Sequence, residues 1–89
     1  MKTTAAIDPR RISSRRFDDE VAVVDLRTRV VHTMNGTASH LWEALAQGAT
    51  FDALVRSLCD AFDVDVVAAE RDVTAFIESL EDAGLVKTH

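Results

Sequence analysis

The chain changes its hydrophobic period once, around Asn35-Gly36-Thr37, and this switch limits its possible folds more than any other feature. Ahead of it, short runs rich in β-branched residues alternate with charged breaks. Ile12 to Phe17 reads as a short edge strand, polar because of Arg15 and Arg16. Glu20 to Leu26 carries Val21, Val23 and Val24, and Arg29 to Met34 carries Val30, Val31 and Thr33; both read as strands. The break Arg27-Thr28 is short enough to make them a β-hairpin, although its tip has neither Gly nor Asn. Asp18-Asp19-Glu20 reads as a charged turn.

Beyond the switch the apolar residues fall at i, i+3, i+4 and i+7, the spacing of one helix face. Ala38, Leu41, Trp42 and Leu45 form the first stripe, with Gly48 as its C-terminal stop. Thr50 is placed to cap a second helix whose stripe is Phe51, Leu54, Val55, Leu58, Cys59 and Phe62, with Asp52 in the first turn. Asp65 is placed to cap a third, with stripe Val66, Ala69, Val73, Phe76, Ile77 and Leu80. Gly84 stops it, and Leu85-Val86 is expected to fold back on the core. The order predicts an α+β domain in which a three-stranded antiparallel sheet is followed by three helices, resembling a winged helix-turn-helix. Residues 1–11 are expected to be a flexible lead-in and residues 12–89 one domain.

Eighty-nine residues suffice for one domain, and 47% hydrophobic with 28% charged is an ordinary globular balance. With four Phe, one Trp and no Tyr, the core must be largely aliphatic. The segment Met1 to Arg11 has no apolar block, and no run approaches a membrane span, so a cytoplasmic protein without a membrane partner is expected. The net charge of −5 disfavours nucleic acid. The predicted third helix opposes DNA more directly: Asp65, Glu70, Asp72, Glu78, Glu81 and Asp82 stand against Arg71 alone, and a recognition helix needs the opposite sign.

Catalytic chemistry finds no foothold. Cys59 falls on the buried stripe of the second helix, where a small core residue is the more natural reading than a nucleophile, and no Ser sits in a nucleophile elbow. His32, His40 and His89 do not pair at metal-ligand spacing; His32 reads as a half-buried residue of the third strand. Isolated glycines make no phosphate loop. No catalytic residue, cofactor site or metal site is expected. What remains is the third strand: if it forms a sheet edge, Val30 to Met34 contains no Lys or Pro to blunt it, and an extended peptide could pair there.

The order of short motifs resembles the PqqD-like family. The residues are Val23-Val24-Asp25-Leu26-Arg27-Thr28, then Val31-His32-Thr33-Met34-Asn35-Gly36-Thr37-Ala38, then Leu41-Trp42-Glu43-Ala44-Leu45. They continue with Phe62-Asp63-Val64-Asp65, Asp72-Val73-Thr74-Ala75-Phe76-Ile77, Leu80 and Gly84-Leu85-Val86. The resemblance spans about Glu20 to Val86 and implies a recognition element for precursors of ribosomally synthesised, modified peptides (RiPPs). In that family the precursor's leader adds as a strand beside the third strand, against the third helix. Carried over, the peptide-binding residues would be Val30, Val31, His32, Thr33 and Met34, with Ala68, Asp72, Ala75, Phe76 and Ser79 as the helical wall. Asp72 and its acidic neighbours would then face a basic leader residue. The chain looks most like the free-standing recognition proteins of lasso-peptide biosynthesis. The partners implied are a precursor leader peptide, a cysteine protease that removes it and a lasso cyclase. An alternative is a peptide chaperone for a radical SAM enzyme of another RiPP pathway; the other is a winged-helix DNA-binding regulator. The chain departs from the family where Arg29 replaces a frequent Gly, and at Val31-His32, where an aromatic is common.

Overall fold

A computed structural model describes residues 5–8 and 10–88. The elements run β1 (Ala5–Ala6), β2 (Ile12–Phe17), β3 (Glu20–Asp25), β4 (Val30–Asn35), α1 (Thr37–Ala46), α2 (Phe51–Phe62), α3 (Val66–Asp82) and β5 (Lys87–Thr88). The main sheet is antiparallel with order β2-β3-β4, and the three helices follow it, as the periodicity predicts. The third strand of the sequence reading is thus β4. Residues 1–4 and 9 of the expected lead-in lie outside the described residues; within that segment, Ala5–Ala6 pairs antiparallel with Lys87–Thr88.

Turn chemistry sets the register. Phe17 pairs with Glu20 across Asp18-Asp19, and Asp18 takes a left-handed φ of 54°, which Asp tolerates better than most residues. Asp25 pairs with Val30 across a four-residue connection that replaces the missing Gly and Asn with a side-chain device. The Asp25 carboxylate accepts from the backbone N–H of Arg27 (2.9 Å) and more weakly from that of Thr28 (3.5 Å), while Arg29 N–H donates to the Asp25 carbonyl (2.7 Å). Arg29 sits at φ 64°, the left-handed conformation that glycine adopts without strain.

In this register Val21, Val23 and Asp25 stand opposite Met34, His32 and Val30 on the face the helices cover. Val21, Val23 and Met34 form one core with Trp42, Leu54, Leu58, Ala69, Val73, Ile77 and Leu80, closed by Leu85 and Val86 folding back as expected. Thr50 and Asp65 cap α2 and α3 by accepting from Ala53 N–H (3.2 Å) and Ala68 N–H (2.8 Å), contacts typically worth about 1 kcal/mol each. Ser39 Oγ lies within reach of the Gly36 carbonyl (2.9 Å) and the Asp19 carbonyl (3.1 Å), pinning α1 to the β2–β3 turn.

Two expected core residues are corrected. Val66 is 57% exposed because it is the first residue of α3, ahead of the turn that begins to pack. Phe62, the last residue of α2, is 40% exposed, with its ring edge-on to His40 at 5.3 Å. Phe51, Cys59 and Phe76 are half-buried at the margin of the core.

Candidate peptide-binding edge

Among the described residues β4 has a hydrogen-bonded neighbour strand on one side only, so alternate residues direct their N–H and C=O groups towards the open side. Its apolar residues remain accessible there: Val30 is 48% and Val31 59% exposed, Thr33 is exposed and His32 half-buried. Met34, at 8%, is the anchor that turns into the core. Val30, His32 and Met34 share the inner face; Val31 and Thr33 share the outer one.

On α3, Ala68, Asp72, Ala75, Phe76 and Ser79 follow helical spacing and flank the buried stripe Ala69, Val73, Ile77 and Leu80. Ala68 and Phe76 are half-buried; Asp72, Ala75 and Ser79 are exposed. Met34 of β4 and Val73 and Ile77 of α3 belong to the same core, against which Phe76 packs. The strand set and the helix set each flank residues of that core. α3 itself packs along α2 rather than along the sheet.

One device joins the two sets. The Arg11 guanidinium donates through Nη2 to the Gly84 carbonyl just beyond α3 (3.2 Å), and the same nitrogen lies 3.8 Å from the Asp25 carboxylate at the root of the β3–β4 hairpin. The Arg11 carbonyl also accepts from Leu26 N–H (2.7 Å). Asp25 is 1% exposed, and the backbone N–H donors of Arg27 and Thr28, helped by Arg11, hold its carboxyl below the usual carboxylate value against the opposing effect of burial. Sequence reading placed Asp25 in a strand and missed this role; an Asp just before a Gly-less hairpin turn is the signal that was available.

A polar pair also links two of the helices. His40 Nε2 lies 2.7 Å from Ser57 Oγ, beside an open depression of about 430 Å³ that Arg56 and Asp60 also line. Ser57 sits inside α2, where backbone N–H groups are committed to the helix and cannot receive an oxyanion, so the pair fastens α1 to α2. Among the described residues no group of three or more His, Cys, Asp or Glu could hold a metal ion. No helix is long and apolar enough to cross a membrane.

Comparison with known proteins bears on the open edge. The family model of coenzyme PQQ synthesis protein D matches residues 20–86. No curated protein sequence matches the chain. Two solved structures share the fold. "TbiB1 in Complex with the TbiA(beta) Leader Peptide" is 27% identical, with a TM-score of 0.84 over 86% of this chain and 90% of that one. "Lasso peptide synthetase B1 complexed with the leader peptide" is 25% identical, with a TM-score of 0.82 over 93% and 96%. Both were solved with a leader peptide bound.

Proposed function

Because this chain belongs to the PqqD family, we propose that it is a recognition element that binds the leader segment of a precursor peptide through the free edge of β4. The observation that carries this reading is an open, uncharged sheet edge in a fold shared with two leader-peptide complexes. The leader adds as a strand beside Val30 to Met34, main-chain bonds supplying most of the affinity and flanking side chains the register. Ala68, Asp72, Ala75, Phe76 and Ser79 form the second wall. Asp72 meets a basic leader residue; exposed, such a pair contributes little, on the order of 0.5 kcal/mol.

The likeness to lasso peptide synthetase proteins favours a lasso pathway over a radical SAM pathway. The partners are then a cysteine protease that cleaves the leader and a cyclase that closes the ring. This chain makes no bond itself; it raises the local concentration of substrate beside the protease. An acidic α3 argues against a DNA-binding winged helix. Calorimetric titration of the protein with its precursor's leader tests the proposal. Saturable one-to-one binding is expected, and absence of binding at high micromolar peptide would overturn it.

A further inference from the structure

We infer that Arg11 is a positioning residue that fixes the spacing and register of β4 and α3, the two walls of the peptide site proposed above. The inference rests on the reading of β4 as the peptide edge, but its structural half stands on the free protein.

The two walls come from distant parts of the chain, and α3 packs on α2 instead of on the sheet. A shared core fixes their inner margins, through Met34 on one side and Val73 and Ile77 on the other. Leu80, Leu85 and Val86 carry the same core to the C-terminal end of α3, about 25 Å along its 17 residues. Arg11 adds a polar tie between that end and the sheet. Its Nη2 group reaches the carbonyl of Gly84, two residues past α3, and the carboxylate of Asp25, the partner of Val30 in the first rung of β4. Asp25 in turn organises the turn that delivers the chain to β4, through Arg27, Thr28 and the left-handed Arg29. The Arg11 carbonyl adds a backbone bond to Leu26 in the same turn. Gly84 is itself a fixed point: its φ of 75° and the bonds Gly84 N–H to Glu81 and Leu85 N–H to Leu80 terminate α3 in one geometry. One side chain therefore connects the start of the edge strand to the end of the opposing helix. Through Arg11 the root of β4 is tied to the end of α3, so a tilt of α3 relative to the sheet strains an Arg11 contact. A positively charged fork suits this place, because one partner is a buried carboxylate and the other a carbonyl at a helix C-terminus, where a cation is favoured.

Amide hydrogen exchange on the free protein tests the staple. In Arg11→Ala, the hydrogen-bonded amides of Arg29 at the hairpin and of Gly84 and Leu85 beyond α3 should exchange faster together, by roughly tenfold, with the middle of α2 unchanged. In Asp25→Asn only the hairpin amides should speed up. Unchanged exchange at either end in Arg11→Ala, or both ends rising in Asp25→Asn, contradicts the staple. The functional half uses the labelled leader peptide of this protein's own precursor, whole and trimmed to the residues that span β4. Arg11→Ala should weaken the whole peptide about tenfold while the trimmed peptide loses little, because only the whole peptide touches both walls. An equal loss for both peptides reduces Arg11 to general stability and overturns its positioning role. If the wild type binds neither peptide, the reading of β4 fails, and the exchange result still decides the staple.

Discussion

Among the described residues the main sheet has two free edges, β2 and β4, and they are built in opposite ways. β2 is exposed along almost its whole length and carries Arg15 and Arg16, the latter paired with Glu43 of α1 across the mouth of the edge. β4 carries no charge between Val30 and Met34, leaves Val30 and Val31 exposed, and anchors only through Met34. Charges on an edge strand deter another strand from pairing, because docking would strip them of water. The fold thus closes one edge by composition and leaves the other receptive. An edge of this kind is a hazard in a protein with no use for it, and a binding site in one that has a peptide to hold.

The largest expected effect removes what both edges rest on. Trp42 is fully buried and lines the space beneath Ser14 and Arg16 of β2, so Trp42→Ala should destabilise the domain by about 3–5 kcal/mol. Denaturant melts would measure this. Next comes proline on the open edge. Val31→Pro or its neighbour Val30→Pro removes an N–H, and because alternate residues face outward, one of the two should lower leader affinity at least about tenfold with the fold retained. The other should loosen the β3–β4 hairpin. If neither variant changes affinity in a titration, the two edges do not differ in function.

The comparison can also be inverted. Replacing Arg15 and Arg16 together by Val should open β2 and give concentration-dependent self-association in light scattering, while Val31→Lys should defend β4 and weaken leader binding several-fold, about 1 kcal/mol. A smaller effect concerns the root of the open edge. The Asp25 carboxyl is held below its ordinary value in the folded state, so its contribution is fully present above the unfolded carboxylate range and is lost as the pH falls through the lowered value. Thermal midpoints should therefore drop on acidification below about pH 4 more steeply in the wild type than in Asp25→Asn. Last, Arg29→Gly relieves a left-handed residue and should stabilise by about 0.5–1 kcal/mol, raising the midpoint by a few degrees.

Strands, helices, caps and stops were legible because each rests on local chemistry: the period switch at Gly36, Thr50 and Asp65 at helix starts, Gly48 and Gly84 at helix ends. Phe62 and Val66 were misread because a periodic stripe carries no information about where the helix ends turn outwards. The candidate strand Val30 to Met34 could be named from its composition, but that β4 lies at an edge follows from strand order, which periodicity does not encode. Arg11 was invisible for a similar reason. Its partners Asp25 and Gly84 lie 14 and 73 positions further along the chain, and only the folded topology brings them together.

Strand addition at β4 is tested most directly by residue-resolved amide exchange of the protein with and without its leader peptide. The account predicts slowed exchange at alternate residues of Val30 to Met34 on binding, with Ile12 to Phe17 unchanged. Protection along Ile12 to Phe17, or binding that leaves the β4 amides as they were, would contradict it.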